Sequence, residues 1–322
     1  MISLAQILDS LTVIQLPMRT KFRGITNREV ALFKTEEGWG EFSPFLEYDD
    51  NESIPWLLSG IEAASNNQFP IHREWIDING TIPDTDSESE IAQLIELYYG
   101  AQTFKVKVGS GLSEDLIRIA SVRKFAPNAK IRIDVNGSWS VKDAISNIRA
   151  IYEEVSGEYL EYVEQPVATL AELKELKETL GIPVKIAVDE LLRKSNDPLK
   201  LDLTNAADIL ILKVAPLGGI ANSLAIANHH NLPVVVSSAL ESAIGISHGL
   251  RLAAALPELN YASGLATGEL FLKDVANHEI KAGKMRVNTP IIEPEQIKEL
   301  QAPKERIEWW RNRIERVWEL AQ

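Results

Sequence analysis

The sequence predicts an α/β protein, with a run of β-α repeats in the middle and an α+β piece built from its ends. Three observations carry this. Short β-rich runs alternate with amphipathic helical segments at about 25 to 30 residues per unit, the length of a βαβ step. The runs end on charged residues that recur once per repeat. The two ends of the chain break that rhythm.

Taken in order, "LTVIQLPM" and "REVALFKTEEGWGEF" read as antiparallel strands with a hairpin turn at "EEGWG", and "ESIPWLLSGIEAASNN" reads as a helix. Eight β-rich runs follow: "EWIDING", "QTFKVKVG", "AKIRIDVNG", "EYLEYVEQP", "PVKIAVDE", "ADILILKV", "LPVVVSSALE" and "LNYASGLATG". Helical segments such as "SEDLIRIASVRKFA", "SVKDAISNIRAIYEEV", "TLAELKELKETL" and "GIANSLAIANHH" separate them. Near the end, "KERIEWWRNRIERVWEL" sets Ile307, Trp310, Ile314 and Val317 at helical spacing, a stripe expected to pack on the domain. Eight strands suggest a closed (β/α)₈ barrel. A doubly wound sheet alternates in the same way, and periodicity does not separate the two.

The chain has 322 residues, 45% hydrophobic and 25% charged, as a globular enzyme does. Its formal net charge of −13 disfavours nucleic acid and anionic membrane as partners. It contains no cysteine, which excludes disulfides, thiolate catalysis and Cys-based zinc sites and fits a reducing cytoplasm. The N-terminus has no signal-peptide pattern, and no apolar run is long enough to span a membrane. Oligomeric state is not readable.

Barrel enzymes build their sites at the C-terminal ends of the strands. The second run ends on Lys105 and Lys107, which share a face because residues i and i+2 of a strand point the same way. The third supplies Arg132, Asp134 and Asn136, the fourth Glu164, the fifth Asp189 with Lys185 on the same face, and the sixth Lys213. Ser237 and Ser238 end the seventh; Ser263 and Gly264 lie in the eighth. From Lys107 to Lys213 the charges step by 27, 30, 25 and 24 residues, one repeat each, so a closed barrel would gather them at one mouth. A lone K-x-K is an ordinary surface feature, and a lone Asp after a strand usually caps a helix. Five charges of one parity on five successive strands are neither. Lys185 fits an ion pair inside the barrel as well as a role in the site. His72, His229, His230, His248 and His278 receive no role.

A hard divalent cation such as Mg²⁺ takes oxygen ligands and keeps positions open for water or substrate. Asp134, Glu164 and Asp189 would supply three such ligands; without a metal they would repel one another and titrate higher. A substrate carboxylate would then lie between Lys107 and Lys213. That suits removal of a weakly acidic proton next to the carboxylate, because the charge that develops sits where the metal stabilises it. A lysine acts as base only if its pKa falls toward neutrality. Lys105 is expected to lower that of Lys107 and to touch the bound carboxylate.

This constellation resembles the enolase superfamily, in its muconate lactonising enzyme subgroup, over essentially the whole chain. The resemblance implies a modified TIM barrel, (β/α)₇β, at residues 73–284, and an α+β capping domain from residues 1–72 with 285–322. The stretches "KFRGITNREV", "WGEFSPFLEYDD", "RIDVNGSW", "LKVAPLGGI", "SSALESAIGI" and "SGLATG" are similar to a hydro-lyase family of quinone biosynthesis, in its short actinobacterial-type form. That implies Mg²⁺-dependent syn-dehydration of 2-succinyl-6-hydroxy-2,4-cyclohexadiene-1-carboxylate to 2-succinylbenzoate, on the way to menaquinone or phylloquinone. It implies Mg²⁺, or Mn²⁺, on Asp134, Glu164 and Asp189. Lys107 would take the proton and then, as acid, help the hydroxyl leave on the same face. Lys213 would stabilise the anion from the other face by its charge. Arg132 and Asn136 match the family's R-x-D-x-N pattern, and Ser238, Ser263 and Gly264 fall where the succinyl tail is held. Ser263 stands where that pattern has Cys.

Two other readings share the scaffold. Racemases of N-acylamino acids and dipeptide epimerases also need two opposed lysines. A non-catalytic barrel binder would not need the intact charge set. The compact length and the cap motifs favour the dehydratase. Finally "MRTKFRGITN", residues 18–27, is basic and lies between two strands. It predicts a mobile loop closing over the mouth, with Arg19 or Lys21 attracting a doubly anionic substrate.

Overall fold

The computed structural model describes residues 2–65 and 67–322. The chain opens with helix α1 (Leu4–Asp9), then an antiparallel sheet of β1 (Thr12–Phe22), β2 (Ile25–Lys34) and β3 (Trp39–Phe42), then helix α2 (Asp50–Ala63). Phe22 pairs with Ile25, so only Arg23 and Gly24 form the turn. Both have positive φ, 50° and 80°, as a two-residue hairpin whose twist matches its strands requires. Residues 18–27 are therefore a β-hairpin, and the loop expected between its strands is reduced to a two-residue tip.

Next come β4 (Trp75–Asp77), β5 (Gly80–Ile82), α3 (Glu88–Leu97), β6 (Thr103–Lys107), α4 (Leu112–Phe125), β7 (Lys130–Asp134), α5 (Val141–Glu154) and β8 (Leu160–Glu164). They continue with α6 (Leu170–Thr179), β9 (Ile186–Val188), α7 (Glu190–Arg193), β10 (Ile209–Lys213), α8 (Ile220–His230), β11 (Val234–Ser237) and α9 (Ala243–Ala255). Strands β5 to β11 form one parallel sheet in sequence order. Its edges meet through the "SG" of "ASGLATG". Gly264 bridges Ser237, and Ser263 bridges Ile78, both in parallel. The seam is tied by Gly264 N–H to Val236 O (2.8 Å) and Asn79 N–H to Ser263 O (2.9 Å). This closure makes a barrel of the repeats and excludes the doubly wound alternative. Glycine is required on both sides of the seam. A Cβ on Gly264 would lie 2.6 Å from Ser237 Oγ, and one on Gly80 2.5 Å from the Phe104 ring.

The run "EWIDING" divides differently from expectation. Trp75–Asp77 pairs antiparallel with β13 (Lys284–Arg286), which in turn pairs with β12 (Ile280–Lys281), and the barrel strand starts only at Gly80. Seven helices, α3 to α9, follow the strands, and the closing segment is followed only by a 3₁₀ turn, Ala266–Leu270. That is the (β/α)₇β pattern.

The strands are buried on both faces, which is why "ILIL" at 209–212 is continuously apolar. Leu210 and Leu212 join the main core, while Ile209 and Ile211 join Tyr162, Ala187 and Val235 in a separate cluster inside the barrel. Above that apolar plug, Lys107, Asp134 and Glu164 are paired in register. Glu164 pairs with Ala187, and Val188 with Leu210, so Asp189 and then Lys213 each lie two residues further along their strands. Strand tilt in a closed barrel demands this stagger, and a shift of two keeps each of these charged side chains facing inward.

The C-terminus returns to the cap as α10 (Pro294–Leu300) and α11 (Lys304–Leu320). α11 packs on α2 and β1. Trp310, Ile314 and Val317 of the predicted stripe are fully buried, and Ile307 partly so. Trp310 Nε1–H and Arg306 both donate to Glu29 of β2, at 2.8 and 2.7 Å. Among the described residues no helix is long and apolar enough to cross a membrane.

Truncating this anchor should be costly. Trp310→Ala removes a buried indole and leaves a cavity, so a loss of about 3–5 kcal/mol in denaturant unfolding is expected. A loss below about 1 kcal/mol would mean that α11 does not hold the cap together.

Candidate active site

The strand ends are held in place from behind. Arg118 of α4 is fully buried and donates to Lys107 O (2.9 Å) and Asp115 (2.8 Å), which fixes the end of β6. Asp189 occupies the N-cap position of α7 yet makes no cap bond with its carboxylate. Gln165 does that work: its Oε1 accepts the N–H groups of Asp189 (3.1 Å) and Leu191 (3.2 Å). The Asp189 carboxylate is thereby free to face the barrel axis, where an aspartate after a strand would ordinarily turn back to its helix.

The charges meet as that placement predicts. Lys105 Nζ lies 3.0 and 3.1 Å from the two oxygens of Glu164 and 3.4 Å from Asp134 Oδ2. Lys107 Nζ is 4.0 Å from the same Asp134 oxygen. Lys213 Nζ is 2.5 Å from Asp189 Oδ2, and Arg193 Nε is 3.2 Å from Asp189 Oδ1. In a ring of eight, the second and sixth strands are opposite, so Lys107 and Lys213 face each other across the mouth.

Titration follows from these contacts. Burial disfavours the charge of Lys105, but Glu164 and Asp134 outweigh it and hold the ammonium well above the usual lysine range. Burial pushes Glu164 up to about 7 against the pull of Lys105. Burial also raises Asp134 and Asp189, yet lysine charges overcome it. Lys105, Lys107 and Lys213 bring Asp134 below its usual range, and Lys213 with Arg193 brings Asp189 below it. The expected upward shift of all three carboxylates therefore holds only for Glu164. Nor do Lys105 and Lys107 stand as a bare like-charged pair, since they share Asp134.

Among the described residues no group of three acidic or histidine side chains converges closely enough to chelate a cation as it stands, because lysine ammonium groups lie among the carboxylates. The chemistry of the donors still fits a hard divalent ion. All are carboxylate oxygens, and among the described residues Asp134 Oδ1 has no hydrogen-bond partner although buried, nor has Oε2 of the neighbouring Glu190.

Above these groups is a cavity that opens to solvent. Lys105, Lys107, Asp134, Asn136, Lys213, Ser238 and Gly264 line it, while Glu164 and Asp189 lie buried beneath. Asn136 Nδ2 donates to Glu190 Oε1 (2.9 Å), and Ser238 Oγ pairs with Thr267 (2.6 Å). Other predicted residues are not brought there. Arg132 is buried within the barrel, bonded to Glu161, Asn79 and Ala262 O. Ser263 is fully buried at the seam, and Lys185 bonds Tyr261 (2.7 Å). Arg19 donates to Glu269 O (3.0 Å) and borders a different cavity. The cap residues on the described lining are Phe22, Arg23 and Phe45, not Arg19 or Lys21. The Arg-Gly turn pair could have pointed to Arg23. Glu190 and Arg193 follow Asp189 directly, but nothing in a four-residue helix distinguishes them by pattern.

Comparison with known proteins shows the family to which the chain belongs. Residues 89–294 match the enolase C-terminal domain-like family, and residues 13–64 its N-terminal domain-like family. The chain belongs to the enolase superfamily, in its muconate-lactonising-enzyme-like subgroup. Within it, the chain groups with the o-succinylbenzoate synthases. It is 45% identical to the one from Mycobacterium leprae, over 99% of this chain and 94% of the relative. It is also 45% identical to that of Mycolicibacterium smegmatis, over 97% and 96%. Solved structures show the same fold at low identity. Muconate lactonizing enzyme from Pseudomonas fluorescens is 19% identical with a TM-score of 0.76, and an N-succinyl Arg/Lys racemase from Bacillus cereus is 21% identical with 0.74. Each alignment covers 91% of this chain and 98% of the other.

In chelator, Lys105→Met leaves Glu164 and Asp134 without their shared ammonium, a loss of about 3–5 kcal/mol. Glu164 titrates at about 7 when folded and at about 4.3 when unfolded. The folded state thus holds more protons between these values, and stability falls as pH rises through that window. Removing Lys105 raises the folded pKa further, so the decline should continue above neutrality at up to about 1.4 kcal/mol per pH unit. Denaturant midpoints from about pH 6 to about pH 9 read this; a penalty constant across that range contradicts the assigned pairing.

Proposed function

We propose that the chain is an o-succinylbenzoate synthase, a carbon–oxygen hydro-lyase that dehydrates 2-succinyl-6-hydroxy-2,4-cyclohexadiene-1-carboxylate to 2-succinylbenzoate in menaquinone or phylloquinone biosynthesis. The observation that carries the mechanism is the opposition of Lys107 and Lys213 across a mouth whose floor is Asp134, Glu164 and Asp189. Lys107 removes the proton on the carbon bearing the ring carboxylate. The electron pair spreads onto that carboxylate, where Lys213 stabilises the resulting anion by its charge, and returns to form the ring double bond as the C–O bond breaks. Lys107, now protonated, gives its proton to the departing hydroxyl on the same face. One C–H and one C–O bond break, a ring double bond forms, and water leaves an aromatic product. Asp134, Glu164 and Asp189 would hold Mg²⁺ or Mn²⁺, which when bound supplies positive charge beside the substrate carboxylate.

Charge balance supports this assignment. With Lys107 neutral, as a base must be, Lys105 and Lys213 leave one of the three carboxylates uncompensated, while Arg193 offsets Glu190. A divalent cation would turn that net charge positive, toward a substrate with two carboxylates. Phe22, Phe45 and Leu240 add apolar side chains to the lining, and Arg23 adds a further cation for the succinyl end. Residues 1–72 with 285–322 act in this reading as the cap, and 73–284 as the catalytic barrel. A small acid substrate and a cysteine-free chain suit the cytoplasm.

Assay of the purified protein with this substrate should give turnover that EDTA abolishes and Mg²⁺ restores. Lys107→Arg should lose about 10²–10⁴-fold or more, since guanidinium does not act as a base. Lys213→Arg keeps a cation and should retain measurably more dehydration. Full turnover in chelator would contradict the metal assignment, and equal loss in the two folded variants would contradict the one-base mechanism.

A further inference from the structure

Arg193 connects the cap to the site. It is nearly buried, and each terminal nitrogen, together with Nε, has its own partner. Nε donates to Asp189 Oδ1 (3.2 Å), one terminal nitrogen to Glu190 Oε1 (3.1 Å) and the other to the Tyr48 hydroxyl (3.2 Å). The carboxylate of Asp189 is thus divided, one oxygen to Arg193 and the other to Lys213. Tyr48 belongs to the cap. Its ring is buried among Phe45 and Trp56, with centroids 5.6 and 6.3 Å away, so its hydroxyl is rigidly placed. The same hydroxyl accepts from Arg23 at the hairpin tip (3.5 Å), and the Arg23 guanidinium lies 4.0 Å from the Phe45 ring centroid. A chain of direct contacts therefore runs from Arg23 through Tyr48 and Arg193 to Asp189.

An ordinary i,i+4 ion pair on a helix surface has no such company: it is exposed and worth a few tenths of a kcal/mol. We infer that Arg193 and Tyr48 are positioning residues, Arg193 orienting Asp189 toward the cation and Tyr48 bracing Arg193 from the cap. This rests on the metal-binding reading above. Partners that orient a metal ligand from behind matter for affinity, and their loss costs about 10–100-fold. Because Tyr48 acts only through Arg193, its contribution should vanish once Arg193 is gone.

The test is Mg²⁺ binding by calorimetry, without substrate, on wild type, Arg193→Met, Arg193→Lys, Tyr48→Phe and the Arg193→Met/Tyr48→Phe double variant, each first shown to be folded. Expected are a loss of about 10–100-fold for Arg193→Met, partial recovery in Arg193→Lys, a smaller loss for Tyr48→Phe, and a double variant no weaker than Arg193→Met. Unchanged or tighter binding in Arg193→Met overturns the positioning role. Losses that add in the double variant overturn the brace. A wild type that binds no Mg²⁺ overturns the metal reading itself, and this inference with it.

Discussion

Charge neutralisation at the buried end of the barrel is the constraint on which the rest of the structure depends. Three carboxylates and three ammonium groups share a space closed below by an apolar plug. Leaving one of these charges unpaired would cost about 3–5 kcal/mol, a large part of the 5–15 kcal/mol that typically holds a domain folded. The strand stagger places each charge beside one of opposite sign. Gln165 takes over the capping of α7 so that Asp189 can join them. The result is a pocket that is close to neutral by itself and becomes cationic only with a bound metal, ready for an anionic substrate.

The cap is docked by the same chemistry. Helices α8 and α9 begin near the barrel mouth, and each presents unpaired N–H groups to it. Glu62 of α2 accepts the N–H groups of Ile220 and Ala221 at the start of α8. Glu41 of β3 accepts from Ser242 Oγ (2.6 Å) and Gly245 N–H (2.9 Å) at the start of α9. Carboxylates at helix N-termini are stabilised by the helix dipole as well as by hydrogen bonds. Two cap residues thus fasten the cap to consecutive barrel helices, which holds Phe22, Arg23 and Phe45 over the cavity.

Much of this was legible in the sequence, for a physical reason. Side-chain parity and repeat length determine which residues face a barrel axis, so Lys105, Lys107, Asp134, Glu164, Asp189 and Lys213 could be gathered without coordinates. The same parity misplaced Arg132, and it could not decide between the two readings of Lys185. They face inward too, but lower in the barrel, and parity does not report height. Closure was not legible, because the seam rests on two isolated bridges at Ser263 and Gly264 instead of a patterned strand. Nor was the start of the first barrel strand, since "EWIDING" serves two sheets in turn. In the hairpin, the Arg-Gly turn pair carried the information that decided the tip, while net basic charge pointed to Arg19 and Lys21.

Where a metal and a product lie relative to the two lysines decides whether one lysine moves the proton. A crystal structure with Mg²⁺ and 2-succinylbenzoate measures this. The cation is expected on Asp134, Glu164 and Asp189, and the aromatic ring between Lys107 on one face and Lys213 on the other. A cation held elsewhere, or both lysines on one face of the ring, would contradict this placement.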